Sequence, residues 1–229
     1  MPDDDDKSIK WDGIKTNKYM CFDIDATLVN TFSKIESLGK LDIYVNQKSK
    51  LRKQIYTIDL HDVVDTPGEG VYSRMWGVYR PGWHKFHDFC KQYFSGIIIW
   101  SAGQPKYVDA MVDVLFPDPE FQPILVYNWN HCHTKDNNIF KPLKKIFADP
   151  RVKDRVKTEN TFVLDDRDDT FSLNKGNGIL IPAYDVKPTE KRILETDTRL
   201  TELENWLSQH HVASSEDVRE LDKSQIFQW

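Results

Sequence analysis

Two carboxylates and a hydroxyl directly follow the first apolar segment of the chain, and this arrangement constrains the fold more than any other feature. The apolar run Lys18–Phe22 leads into Asp23, Asp25 and Thr27. In a strand, residues two apart project to the same side, so the two carboxylates would lie close together. Like charges at that distance repel each other, and a bound divalent cation is the usual compensation. An acidic surface turn is the alternative for a motif that stands alone.

Two further segments repeat the design. The run Gly96–Trp100 ends at Ser101, and the run Thr161–Leu164 ends at Asp165 and Asp166. Each run is short and rich in strand-forming residues, which is typical of a buried parallel strand. Because ligands of open α/β sheets bind at the carboxyl ends of the strands, these polar residues would assemble one site. The convergence favours an enzyme over a surface turn.

The remaining chain alternates strand and helix patterns, which predicts an α/β fold with a mainly parallel sheet flanked by helices. The predicted strands cover about 18–24, 96–100, 124–127, 161–164 and 178–182, and the predicted helices 83–93, 106–116, 140–147 and 190–207. Between the first strand and the first helix, stretches 41–45 and 54–58 alternate like hairpin strands. We therefore expect a β-rich insertion after the first strand, at about 29–79, that roofs the site.

The length of 229 residues suits one core with an insertion. We expect a flexible N-terminal segment over 1–16, a single domain over 17–210 and a C-terminal tail over 211–229. A formal net charge of −5 disfavours nucleic acid as a partner but leaves it open as a substrate. Three widely spaced cysteines, an acidic N-terminus without an apolar core and the lack of a long apolar run predict an intracellular protein, cytoplasmic or nuclear, with no membrane partner.

The acidic residues suit phosphoryl transfer. A carboxylate that attacks a phosphate is repelled by it, so the site must supply positive charge, and a carboxylate-bound Mg²⁺ would do so. Asp23 would be the nucleophile that forms an aspartyl-phosphate. Asp25 would protonate the leaving oxygen and later take a proton from water. Thr27 and Ser101 would orient phosphoryl oxygens, and the predicted metal ligands are Asp23, Asp25, Asp165 and Asp166.

The stretch Asp23–Val29 resembles the first motif of the haloacid dehalogenase (HAD) superfamily of phosphotransferases. Within it, the chain most resembles the RNA polymerase II C-terminal-domain phosphatases and their small, NLI-interacting-factor-like relatives. Four further motifs carry the resemblance, in matching order over about 18–207: Arg80–Gly82, Trp100–Ala102, Val163–Asp166 and Asn177–Ile179. The resemblance implies a Rossmann-like HAD core and a phosphomonoester hydrolase.

The family carries a lysine between its second and last motifs, and Lys141 is the best counterpart here. The alternatives are Lys135, Lys144 and Lys145. The chain departs from the family pattern at Ala26, where a glutamate is usual, and at 167–169, where Arg-Asp-Asp replaces the usual residues. We expect the two aspartates of that stretch, Asp168 and Asp169, to cap a loop.

The resemblance implies Mg²⁺-dependent hydrolysis of a phosphoserine or phosphothreonine in a protein or peptide. A phosphatase for small molecules or nucleic-acid ends is a second hypothesis, and a catalytically silent binding module is a third. The retained Asp23 and Asp25 argue against the third. Arg80 would either touch the substrate phosphate or cap a loop, and its aromatic neighbours Trp76, Tyr79 and Trp83 would either line a groove or pack in the core.

Overall fold

A computed structural model describes residues 10–40, 50–61, 72–136, 138–193 and 195–227 of the chain. The predicted strand at 41–45 and the first nine residues of the N-terminal segment lie outside these ranges.

Ten strands and six α-helices make up the described structure. The strands are β1 Tyr19–Phe22, β2 Val29–Phe32, β3 Ile55–His61, β4 Tyr72–Tyr79, β5 Gly96–Trp100, β6 Leu125–Tyr127, β7 His133–Lys135, β8 Asn138–Phe140, β9 Thr161–Asp165 and β10 Gly178–Leu180. The helices are α1 Trp83–Tyr93, α2 Pro105–Leu115, α3 Lys144–Phe147, α4 Glu190–Ile193, α5 Arg199–Leu207 and α6 His210–Ser214. Short 3₁₀ helices cover Ile35–Lys40, Lys50–Gln54, Trp129–His131, Thr158–Asn160 and Ser172–Asn177.

The central sheet has five parallel strands in the order β10-β9-β1-β5-β6. Every residue of β1, β5 and β9 is buried, as the apolar runs predicted. Phe22 lies between Leu164 of β9 and Ile99 of β5, so the chain after β1 leaves the sheet at the same edge as the chain after its two neighbours.

Both faces of this sheet are covered, which is why its strands are apolar on both sides. On one face, α1, α2 and α5 pack their apolar residues against Phe22 and Ile99. On the other face, Cys21 and Ile98 pack with Leu143 and Ile146 at α3. This arrangement confirms the predicted α/β class with a mainly parallel sheet flanked by helices.

The predicted insertion is a three-stranded antiparallel sheet in the order β2-β4-β3. Alternate residues of β3 are buried, and Tyr56, Ile58 and Leu60 join the core near α2. Gly77 of β4 lies against Tyr56, whose hydroxyl would overlap a Cβ at this position. The insertion is therefore β-rich as predicted, and it brings the Tyr56 hydroxyl inward.

The predicted helix over 140–147 was wrong in its first half. Phe140 ends β8, which pairs with β7 in a separate hairpin, and the helix α3 begins only at Lys144. The residue before a proline is disfavoured in the α conformation, and Pro142 also lacks a backbone N–H. Lys141 therefore lies in extended chain between hairpin and helix.

The predicted helix over 190–207 is two helices, α4 and α5. Asp197 lies just before α5, and its carboxylate accepts a hydrogen bond from the backbone N–H of Arg199, the first residue of that helix, at 3.0 Å. The segment expected as a C-terminal tail contributes Val212, Val218 and Ile226 to the main core. Trp11 packs edge-on against Tyr93 of α1, with ring centroids 5.1 Å apart.

None of the helices in the described residues is both long and apolar enough to span a membrane.

Candidate active site

The polar residues at the carboxyl ends of the central strands surround one open cavity of about 330 Å³. Six of the predicted site residues line it: Asp23, Asp25, Ser101, Lys141, Asp165 and Asp166. Asp23 follows β1, Ser101 follows β5, Asp165 ends β9, and Lys141 comes from the chain after β8. Parallel strands thus bring together residues that are far apart in sequence.

One side of the cavity, the charged side, consists of Asp23, Lys141, Asp165 and Asp166. The Lys141 ammonium donates to Asp23 Oδ1 and to Asp165 Oδ2, both at 2.6 Å. Lys141, Asp23 and Asp165 are only 3%, 8% and 1% exposed. The backbone N–H of Arg167 donates to the other oxygen of Asp165 at 3.0 Å. These contacts hold the Asp23 carboxylate in a fixed orientation.

Thr27 lies buried beneath the charged side. Its hydroxyl is 3.3 Å from Asp23 Oδ2 and accepts a hydrogen bond from the Asp166 backbone N–H at 3.1 Å. Ala26, which lies between Asp23 and Thr27 in the sequence, has a left-handed backbone with φ of 57°, a conformation that few residues other than glycine adopt. The turn after β1 is therefore tied to the end of β9.

Asp23, Asp165 and Asp166 offer carboxylate oxygens that lie within 4.8 Å of one another. The pKa of Asp23 is raised to about 8, mainly by burial and also by the charge of Asp165, while Lys141 opposes the rise. Burial also raises the pKa of Asp166. For Lys141, burial alone would lower the pKa, but the two carboxylates outweigh it and raise the pKa. One ammonium faces three carboxylates, so a hard divalent cation with oxygen ligands such as Mg²⁺ fits this donor set. The side chain of Asp25, a fourth predicted ligand, is not in this cluster.

The second carboxylate that lines the cavity, Asp25, is held by the hydroxyl groups of Thr31 and Tyr107, and we call these three residues the hydroxyl side. Tyr107 donates to Asp25 Oδ1 at 2.5 Å, and Thr31 donates to the same oxygen at 3.1 Å. The Tyr56 hydroxyl is 2.7 Å from that of Thr31. Burial raises the pKa of Asp25, and the hydrogen bonds from Tyr107 and Thr31 oppose the rise. Neutral donors, not a cation, surround this second carboxylate.

Sequence reasoning missed Thr31, Tyr56 and Tyr107. Thr31 and Tyr56 belong to the insertion, and Tyr107 lies on α2, 82 residues beyond Asp25. No spacing rule links such distant residues. The one available signal was the expectation that the insertion roofs the site.

The four candidate lysines occupy different environments. Lys141 contacts two aspartates in the cavity, whereas Lys135, Lys144 and Lys145 are exposed. Lys145 donates to the His131 carbonyl at 2.6 Å. Ser101 lines the cavity, and its Oγ accepts a hydrogen bond from the Gly103 backbone N–H at 3.0 Å.

Arg80 does not line the cavity. The residue is 1% exposed, and its guanidinium pairs with both carboxylate oxygens of Asp197 and donates to the Thr27 and Pro182 carbonyls. It therefore ties the end of the insertion, the turn after β1 and the start of α5 together. Trp76 and Trp83 are likewise buried in the core. Arg80 therefore caps loops and does not reach the catalytic cavity, and the two tryptophans pack in the core and do not line a groove.

Asp169 behaves as a loop residue. Its carboxylate pairs with the Arg167 guanidinium at 2.7 Å, and its carbonyl accepts from the Ser172 hydroxyl at the same distance. Asp168 is exposed.

The family model of NLI interacting factor-like phosphatases matches residues 18–219. The chain belongs to this family. It is therefore a phosphatase of the HAD type, as the motifs predicted, and the matched region includes every predicted site residue. No curated protein matches the chain significantly.

Among solved structures, the fold is similar to that of Fcp1, an essential RNA polymerase II CTD phosphatase, with a TM-score of 0.57 and 16% identity. It is also similar to a fission yeast Fcp1 variant bound to beryllium fluoride, with a TM-score of 0.56 and 18% identity. Each match covers 74% of this chain and 42% of the other chain. At this identity the similarity concerns the fold of the shared region.

Proposed function

We propose that this phosphatase hydrolyses phosphoserine or phosphothreonine in polypeptides, with Mg²⁺, through an aspartyl-phosphate on Asp23. The observation that carries the proposal is the pairing of one buried lysine, Lys141, with Asp23 and Asp165, at 2.6 Å each. A further carboxyl group, that of Asp25, lines the same cavity. A nucleophile, a counter-charge and an acid–base group thus share one open cavity.

Asp23, Asp165 and Asp166 would hold the Mg²⁺. When bound, the ion would offset the negative charge of the carboxylates and of the phosphate. Lys141 supplies a further fixed positive charge at Asp23.

In the first half-reaction, an oxygen of Asp23 attacks phosphorus, and the bond from phosphorus to the substrate oxygen breaks. Lys141, Thr27 and Ser101 hold the phosphoryl oxygens. Asp25 gives its proton to the leaving serine or threonine oxygen, which is a poor leaving group without one.

In the second half-reaction, water attacks the phosphorus of the aspartyl-phosphate. Asp25, now ionised, accepts a proton from this water. The bond from phosphorus to the Asp23 oxygen breaks, inorganic phosphate leaves, and both carboxyl groups return to their starting states. The same residue thus serves as acid and then as base.

The proposed substrate is a phosphorylated polypeptide, and the proposed location of the enzyme is inside the cell, in the cytoplasm or nucleus. The cavity is open to solvent, and the formal charge of −5 disfavours a nucleic-acid substrate. The three cysteines Cys21, Cys90 and Cys132 are free, in keeping with a reducing compartment.

Hydrolysis of p-nitrophenyl phosphate with and without Mg²⁺ tests the proposal, using the wild type beside Asp23→Asn. The matched control is Asp168→Asn, the same change at an exposed aspartate of the neighbouring loop. We expect Mg²⁺-dependent turnover in the wild type and the control, and its loss in Asp23→Asn together with loss of acid-stable trapping of phosphate on the protein.

Turnover that persists in Asp23→Asn would rule out Asp23 as the nucleophile. A folded wild type without turnover under any divalent metal would favour the binding module. Faster hydrolysis of small phosphate esters or nucleic-acid ends than of phosphopeptides would favour the second hypothesis.

A further inference from the structure

A second cavity, of about 480 Å³, adjoins the catalytic one. It is lined by Trp129, Thr134, Lys135, Asp136 and Ile139, and we call it the hairpin groove. Ile139 lines both cavities, so the two cavities are neighbours.

The hairpin groove is built by elements that also position the catalytic residues. Thr134 and Ile139 lie opposite each other in the β7–β8 hairpin, so their side chains share one face of it. Lys141 follows the same hairpin directly. The Trp129 backbone N–H donates to the carbonyl of Gly103, a residue that lines the catalytic cavity, at 2.9 Å. The position of the groove relative to the reacting atoms is thus fixed by the fold.

The walls of the groove combine an aromatic ring with polar groups. Trp129 is 37% exposed, so part of its ring is accessible from solvent. The side chain of Lys135 makes no hydrogen bond or ion pair with any other residue in the described part of the chain, and Asp136 is also exposed. An aromatic ring with a few polar groups around it suits an apolar side chain carried on a peptide backbone.

We propose that the hairpin groove binds the residues that flank the phosphorylated residue of a polypeptide substrate, and that Trp129 selects an apolar or aromatic side chain there. This rests on the proposed function, which puts the phosphorylated residue in the catalytic cavity. Because Ile139 lines both cavities, an extended chain that leaves the catalytic cavity can reach the groove.

The charge of the groove favours a polypeptide over a nucleic acid. Among the described residues, Lys135 is the single basic residue that lines the groove, and the acidic Asp136 follows it. Binding to a nucleic-acid backbone requires several lysines or arginines to neutralise successive phosphates. The groove offers no such row, whereas Trp129 can pack on an apolar side chain without any net charge.

The test measures peptide binding on Asp23→Asn protein with Mg²⁺, so that turnover is not required. The probes are a phosphoserine flanked by glycines and a set in which phenylalanine replaces each flanking glycine in turn. We expect phenylalanine at one position to lower Kd by roughly 3- to 10-fold, the gain of an aromatic pair. Adding Trp129→Ala should abolish this gain, and adding Trp129→Phe should retain most of it.

Ile14→Ala is the matched control, because Ile14 is an exposed apolar residue that precedes β1, at the opposite end of the strands from the site. It should leave the phenylalanine gain unchanged. Thr134→Arg is a second variant on an exposed strand position, and its long side chain would fill the groove and also abolish the gain.

No phenylalanine gain at any position, or a gain that survives both Trp129→Ala and Thr134→Arg, would overturn the proposal. Tighter binding of adenosine 5′-monophosphate than of every peptide, lost in Trp129→Ala, would overturn it in favour of a base-stacking role. Absence of p-nitrophenyl phosphate hydrolysis in the wild type would instead count against the proposed function, while the Kd comparison would still decide the role of the groove.

Discussion

The charged side and the hydroxyl side of the catalytic site surround their carboxylates with different kinds of groups. On the charged side, Asp23 is paired with an ammonium and lies among other carboxylates. On the hydroxyl side, two neutral hydroxyls donate to a single oxygen of Asp25. Asp23 and Asp25 are two residues apart, yet their surroundings come from different parts of the fold.

This difference separates the two chemical roles. A nucleophile must be ionised. Lys141 favours the ionised form of Asp23 and opposes the burial that raises its pKa, and a bound Mg²⁺ would favour the ionised form further. An acid–base group must both hold and release a proton, which neutral donors permit. Two like residues in unlike environments are a recurrent way to divide such work between carboxyl groups.

The largest expected effect comes from removing the proton carrier on the hydroxyl side. Asp25→Asn keeps a similar shape but cannot transfer a proton. We expect the first turnover of a phosphoserine peptide to slow by roughly 10²- to 10⁴-fold. The first turnover of p-nitrophenyl phosphate should slow far less, because p-nitrophenolate leaves without a proton. Equal slowing of both substrates in rapid-mixing experiments would show that Asp25 has another role.

On the charged side, Lys141→Met removes the fixed counter-charge. We expect kcat to fall by roughly 10²- to 10³-fold, as for the loss of one charge-stabilising donor. The melting temperature without metal should also fall, since two buried carboxylates lose their partner. Added Mg²⁺ should restore part of the stability. Lys144→Met, at an exposed lysine, is the control, and an Mg²⁺ response that matches this control would contradict the account.

The charged side should also couple Mg²⁺ binding to pH. Burial raises the pKa of Asp23 to about 8, so the metal-free folded protein binds more protons than the unfolded chain between about pH 4 and pH 8. This group's contribution to stability therefore decreases as the pH rises through that window. Because Mg²⁺ competes with the proton, its affinity should rise by up to roughly tenfold per pH unit below about pH 8. Titration calorimetry from pH 6 to 8 measures this, and Asp23→Asn should flatten the dependence.

The smallest effect should follow removal of one hydroxyl. Tyr107→Phe loses one hydrogen bond to the Asp25 carboxylate, and we expect the first turnover of a phosphoserine peptide to slow by roughly tenfold. Tyr56→Phe should do less, because its hydroxyl reaches Thr31 and not Asp25. A larger effect at Tyr56 than at Tyr107 would mean that the insertion, and not the direct contact, controls Asp25.

Much of the fold could be predicted because its signals are local. The strands β1, β5 and β9 are apolar runs bounded by polar residues, and α1 has apolar residues at helical spacing. One error arose where a single residue interrupts a pattern. The apolar spacing around 140–147 favoured a helix, but Pro142 delays its start to Lys144.

The sequence by itself determined which residues stand at the carboxyl ends of the central strands, because strand patterns and the polar residues that end them are properties of neighbouring positions. It therefore predicted that Asp23, Asp25, Ser101 and Asp165 would meet. Only the tertiary structure decided how the cavity divides into a charged side and a hydroxyl side. Lys141 and Tyr107 lie 118 and 82 residues from the carboxylates that they contact, Asp23 and Asp25 respectively. Contacts across such separations depend on how the hairpin, the insertion and α2 pack against the sheet, and no local pattern encodes that packing.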